Sequence, residues 1–166
     1  MILGELRLAP AHGYELHQRI TRDLGDLWHL RFNQIYGILH RLEAEGHVVG
    51  NAEKGANAPS RRSYRLTEPG LRHFEAWLRR TTPANVRVIR VEFMTRLFFA
   101  RQQDPELANQ ILSDQITATG RSLDQQRALL AAVPADEAFS QLGIALRVRT
   151  LTGVLEWLED CRAAVR

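Results

Sequence analysis

The chain has 166 residues, 45% of them apolar and 25% charged, with a net charge of +3. That length suits one ordinary domain or two small ones, and the apolar fraction excludes a disordered chain. Cys161 is the only cysteine, which excludes an intrachain disulfide and a zinc site built from thiolates.

In chain order, residues 2–8 read as a first helix, broken by Pro10 and Gly13. A second helix opens at His12-Gly13-Tyr14-Glu15-Leu16 and runs to about Leu24, with Leu16, Ile20 and Leu24 on one face and Gly25 as its stop. Leu27, Trp28 and Leu30 form an apolar connection, and Trp28 is expected in the core. Residues 31–46 have helical spacing, with Ile35, Ile38, Leu39 and Leu42 on one face and Gly46 at the end. Val48-Val49 and Tyr64-Arg65-Leu66 are short strands, and the loop between them holds Lys54, Gly55, Asn57, Pro59, Arg61 and Arg62. Thr67-Glu68-Pro69-Gly70 is a helix start: Thr67 can accept a backbone N–H, Glu68 complements the dipole and Pro69 fits the first turn. Leu71, Phe74, Trp77 and Leu78 then make an apolar face that ends before residues 81–85.

The remainder carries helical patterns only. Residues 90–101 place Val91, Met94, Leu97 and Phe98 on one stripe. Asp104-Pro105-Glu106 opens a long helix ending near Val133-Pro134, and Asp136 opens a last helix to about Val165. That last helix has two apolar stripes: Phe139, Leu142, Leu146, Thr150, Gly153, Trp157 and Cys161 on one, and Ile144, Val148, Leu151, Leu155 and Leu158 on the other. A helix apolar on two sides must bury both. One side is expected to pack within the chain and the other to meet a second subunit, with a helix central to its own domain as the other reading. The fold class is therefore mainly α with a small β wing (α+β). A winged helix-turn-helix domain (residues 1–82) precedes an all-helical dimerisation domain (83–166). Excess positive charge falls in the first: residues 1–80 carry 12 basic and 9 acidic side chains, and residues 81–166 carry ten of each.

Three segments carry a resemblance: His12-Gly13-Tyr14-Glu15-Leu16; Gln34-Ile35-Tyr36 with Leu39-His40-Arg41-Leu42-Glu43-Ala44-Glu45-Gly46; and Arg61-Arg62-Ser63-Tyr64-Arg65-Leu66-Thr67-Glu68-Pro69-Gly70. In this order and spacing, residues 1–80 resemble the PadR family of bacterial transcriptional regulators. The length of the second half looks like the subfamily with a larger C-terminal helical domain. The resemblance implies a homodimer on a pseudo-palindromic operator in double-stranded DNA, usually a repressor, often released by a small aromatic or hydrophobic molecule.

A recognition helix presents its N-terminal polar face to base edges, and Asn or Gln pairs bidentately with adenine. Gln34 is the leading candidate. Asn33 is read as a base contact or as the helix N-cap, and Tyr36 as a phosphate contact or a packing residue. Gly37 is unfavourable inside a helix unless something approaches closely, and Arg41 can reach a phosphate. Lys54, Arg61 and Arg62 are expected on wing phosphates or in the minor groove. The start of the second helix suits a phosphate flanked by His12 and Tyr14, with core burial the other reading for Tyr14.

No catalytic constellation, phosphate-binding glycine loop or metal spacing stands out among the six histidines. The reading is not an enzyme, and no cofactor or metal is expected. Phe93, Phe98, Phe99, Phe139 and Trp157 are the candidate effector pocket or dimer interface, with plain core the reading favoured for any single one of them. Cys161 is expected to be buried on its stripe. The segment after Met1 lacks a basic leader, and no run approaches the roughly 18 apolar residues of a membrane span, so the cytoplasm is the expected compartment and no membrane partner is expected. The rival reading is a winged-helix protein–protein module without DNA binding.

Overall fold

The computed structural model describes residues 1–25, 27–53 and 61–165. They form two compact units, Met1–Arg79 and Arg80–Arg166.

The first unit runs α1 (Ile2–Leu8), β1 (Ala11–His12), α2 (Gly13–Leu24), α3 (Phe32–Ala44), β2 (Val48–Glu53), β3 (Arg61–Leu66) and α4 (Glu68–Leu78). The sheet is antiparallel in the order β1-β3-β2, with Ala11 opposite Tyr64 and Val48 opposite Leu66. The wing strands are longer than the apolar pattern indicates, and Arg61 and Arg62 lie in β3 rather than in a loop. Cross-strand hydrogen bonding carries the ladder through Ser63, Arg62 and Arg61, which no alternation marks. β1 was not predicted: two residues carry no period, and pairing with Ser63 and Tyr64 defines it. Leu16, Ile20 and Leu24 of α2 and Ile35 and Leu39 of α3 are buried, as are Val48, Tyr64, Phe74 and Leu78. Trp28 is half-buried.

Thr67 caps α4, accepting the Gly70 N–H at 3.1 Å, as its position predicts. Its hydroxyl also donates to the Gly46 carbonyl at 2.7 Å, and its N–H donates to the His47 carbonyl at 3.1 Å. Gly46 itself ends α3 with φ 73°.

The second unit holds α5 (Val86–Val88), a π-helical turn (Ile89–Phe93), α6 (Met94–Gln103), α7 (Pro105–Ala132) and α8 (Ala138–Val165). The single helix expected over 90–101 is thus a π turn followed by α6. Asp104 caps α7, accepting the Glu106 N–H at 2.9 Å. Gln115 is buried and paired both ways with Thr82: its Oε1 accepts the Thr82 N–H at 3.1 Å and its Nε2 donates to the Thr82 carbonyl at 3.0 Å. On α8, Leu151 and Leu158 are buried. The opposite stripe is open, with Phe139 92%, Leu142 67% and Leu146 66% exposed. Cys161 is half-buried, and burial pushes its thiol up.

Arg96 in α6 is fully buried, and its guanidinium nitrogens have no hydrogen-bond partner among the described residues. Burial pulls its pKa down against the attraction of Glu92. Because a buried unpaired cation is destabilising, Arg96→Met is expected to raise stability by ~1 kcal/mol or more. Urea unfolding checks this, and a lower midpoint for the variant would show that Arg96 is paired in solution.

Candidate nucleic-acid interface

Both helices of the helix-turn-helix are closed at their N-termini by a side chain three residues in. The His12 N–H donates to Glu15 Oε2 at 2.9 Å, and the Arg31 N–H donates to Gln34 Oε1 at 2.8 Å. Each satisfies an orphan amide donor and sets the helix start. Arg31, and not Asn33, is therefore the N-cap of α3, which removes that reading of Asn33. Asn33, Gln34, Gly37, His40 and Arg41 are all exposed on α3. Gln34 uses its carbonyl oxygen on its own helix start, so its amide group is the part left to face outward.

An aromatic chain joins the two helices. Phe32 stacks edge-on against Tyr14 at 6.1 Å, His17 at 5.8 Å and Tyr36 at 5.1 Å between ring centroids. Tyr14 is 57% exposed and accepts the Gln18 amide at 2.9 Å, so it is not a core residue. Tyr36 is half-buried, and its ring lies over the start of α2: a Cβ on Gly13 would stand 2.7 Å from Tyr36 Cζ. The glycine of the His-Gly-Tyr segment makes room for the tyrosine of α3. Tyr36 packs, and its hydroxyl stays beside the α2 N-terminus. His12 is half-buried at that same place. Gly37 has open space around it.

In the wing, Arg62 donates from Nη2 to Glu43 Oε1 at 2.7 Å and lies 5.6 Å from the Tyr64 ring centre. Burial pushes the Tyr64 phenol above its ordinary value, and Arg62 opposes the shift. Only the backbone of Arg61 is described, and Lys54 lies outside the described residues. The structure thus brings His12, Tyr14, Tyr36 and the start of α3 together, with Arg41 further along α3 and Arg62 on β3. Sequence reasoning missed Phe32, Gly13 and Glu43. Phe32 is an apolar residue outside the core period, the cue that could have found it, whereas nothing local links Gly13 to Tyr36 or Glu43 to Arg62.

The five aromatic residues expected around an effector do not share one pocket. Phe93 and Phe99 are buried core, Phe98 is half-buried and Phe139 is solvent-facing; Phe93 meets Trp157 (6.2 Å between ring centroids) and Phe98 meets Phe99 (5.1 Å). They are spread over three elements: the π turn, α6 and α8. A cleft of about 610 Å³ in the second unit is lined by other residues, among them Asn85, Arg87, Gln126, Arg147 and Leu151. Among the described residues no cluster of His, Cys, Asp and Glu has the makings of a metal site, and no helix is long and apolar enough to cross a membrane.

Residues 2–76 match the transcriptional regulator PadR-like family, and residues 89–166 match the virulence activator alpha C-terminal family. The chain is 28% identical over 115 residues to the negative transcriptional regulator PadR of Bacillus subtilis. That match takes in 69% of this chain and spans 63% of the relative's length. The crystal structure of Bacillus subtilis PadR in complex with operator DNA is similar over 99% of this chain and 95% of that one, with 23% identity and a TM-score of 0.49. The same regulator in complex with p-coumaric acid is similar over the same shares, with 24% identity and a TM-score of 0.44.

Proposed function

We propose that this chain, whose residues 2–76 are a PadR-like transcriptional-regulator domain and whose residues 89–166 are a virulence-activator alpha C-terminal domain, is a sequence-specific DNA-binding repressor that works as a homodimer. Residues 1–82 bind DNA and residues 83–166 dimerise. The observation that carries the reading is the polar, exposed face of α3, where Asn33 and Gln34 in the first turn and Arg41 in the last stand free of the core, within residues that match this family. Asn33 and the Gln34 amide read base edges in the major groove. Tyr14, His12 and Tyr36 flank a phosphate at the start of α2, and Arg41, Lys54 and Arg61 take further phosphates.

The second copy docks on the open α8 stripe of Phe139, Leu142 and Leu146, an apolar face that water disfavours. Two recognition helices then enter successive major grooves about 34–36 Å apart on a pseudo-palindromic operator. A small aromatic or hydrophobic effector, of the kind represented by the p-coumaric acid bound to Bacillus subtilis PadR, favours a dimer with the wrong spacing and releases the DNA. The chain acts in the cytoplasm and catalyses no reaction.

Fluorescence anisotropy with a duplex from immediately upstream of its own gene tests the base-reading role. Asn33→Ala should cost about 1–3 kcal/mol of binding on the native duplex and nothing measurable on a scrambled one, and Gln34→Ala, which also removes the cap on the Arg31 N–H, should lose more on the native duplex than on the scrambled one. Equal losses on both duplexes would show that α3 reads no bases.

A further inference from the structure

One carboxylate oxygen ties the recognition helix to both wing strands. Glu43 Oε1, in the last turn of α3, accepts the Gly50 N–H of β2 at 2.9 Å and Arg62 Nη2 of β3 at 2.7 Å. The Glu43 side chain is only 24% exposed and that of Arg62 45%, so the pair is partly shielded from water. Arg62 also lies over the ring of Tyr64, which is itself buried in the core and paired with Ala11. The guanidinium is therefore held on two sides, by a charge and by a ring anchored in the domain.

For Arg62 to neutralise a phosphate it would have to give up a short charge-assisted bond. It would also leave the Glu43 carboxylate uncompensated on the domain that faces the DNA polyanion. While the pair stays intact its net charge is zero, and Arg62 adds nothing to phosphate attraction. What the pair does add is a fixed relation between α3 and the wing, because Glu43 holds β2 by its backbone and β3 by its side chain.

We propose that Glu43 and Arg62 are positioning residues that brace the wing against the recognition helix, and that Arg62 contacts no phosphate. The proposal rests on the DNA-binding reading above and reassigns one residue of the expected wing set. Its signature is a loss of affinity without a loss of salt dependence.

The test is an anisotropy titration of the full chain on the upstream duplex across a salt series, for wild type, Arg62→Ala, Glu43→Ala, Glu43→Gln and the Arg62→Ala/Glu43→Ala double variant. Each phosphate-neutralising cation contributes about 0.9 to the slope of log K against log salt. Arg62→Ala and Glu43→Ala are expected to weaken binding by a similar factor, about fivefold, with the slope unchanged, and the double variant to lose no more than either single. Glu43→Gln keeps an acceptor oxygen and should recover most of the loss. Arg41→Ala, as the reference for a phosphate contact, should flatten the slope by about 0.9. A slope flattened by the same amount in Arg62→Ala, together with tighter binding by Glu43→Ala, would overturn the proposal. Thermal unfolding of the same variants gives a reading without DNA: non-additive melting shifts at 43 and 62 support the brace, and additive ones sink it. A wild type that bound no duplex would end the DNA-binding reading and leave the brace to be decided by that unfolding cycle.

Discussion

Gly70→Ala is expected to destabilise the winged domain by about 3 kcal/mol, among the larger effects of adding a methyl group to a packed site. A Cβ at this position would stand 2.0 Å from the His47 carbonyl oxygen and 2.8 Å from its carbon. Both are backbone atoms, so no rotamer change relieves the clash. Moving His47 is costly as well, since its carbonyl accepts the Thr67 N–H at 3.1 Å and the Thr67 hydroxyl holds the Gly46 carbonyl at 2.7 Å. The end of α3, the end of β3 and the start of α4 meet at this point, and the methyl group must part them. Urea unfolding followed by circular dichroism measures the change. A loss below about 0.5 kcal/mol, the range of an ordinary surface substitution, would show that the α4 start has slack that this packing does not have.

Leu142→Glu with Leu146→Glu is expected to turn the proposed dimer into a monomer. The two side chains are 67% and 66% exposed, one turn apart on α8. Burying an uncompensated carboxylate costs several kcal/mol, and each substitution is repeated on the partner by symmetry. The dimer dissociation constant should therefore rise by roughly a thousandfold or more. The fold should persist, because the buried face of α8, with Leu151 and Leu158, is untouched. Sedimentation equilibrium reads the change in mass. Operator affinity should fall with it, because a monomer engages one half-site at a time. Unchanged dimer mass in the double variant would put the subunit contact on another surface.

How legible these features were depends on how local their causes are. The Thr67 cap, the Gly46 stop and the Asp104 start of α7 depend on chemistry within a few residues, and all three stand where the residue types indicate. The two stripes of α8 follow from a period sustained over 28 residues, and the structure buries one and opens the other. What could not be read depends on distant partners. β1 exists because Ala11 and His12 meet Tyr64 and Ser63. Glu43 meets Arg62 across 19 positions, and Gly13 is explained only by the ring of Tyr36. The π turn before α6 breaks a helical stripe that looks continuous in the sequence. Which of the five aromatic residues are core was not legible for a related reason: spacing ranks residues along one helix, but it does not say which helices converge. Asn33 was ambiguous because Asn favours N-caps in general, whereas here Gln34 reaches back to the Arg31 amide and fixes the helix start two residues earlier.

The measurement that bears most directly on the central claim is the affinity of the wild-type chain for a duplex from immediately upstream of its own gene, beside a scrambled duplex of the same composition, by fluorescence anisotropy at two salt concentrations. A repressor of its own operator should bind the native duplex at least about a thousandfold more tightly than the scramble at physiological salt, with both affinities falling as salt rises. No binding to either duplex at low salt would contradict a DNA-binding function and make the winged domain a surface for another protein.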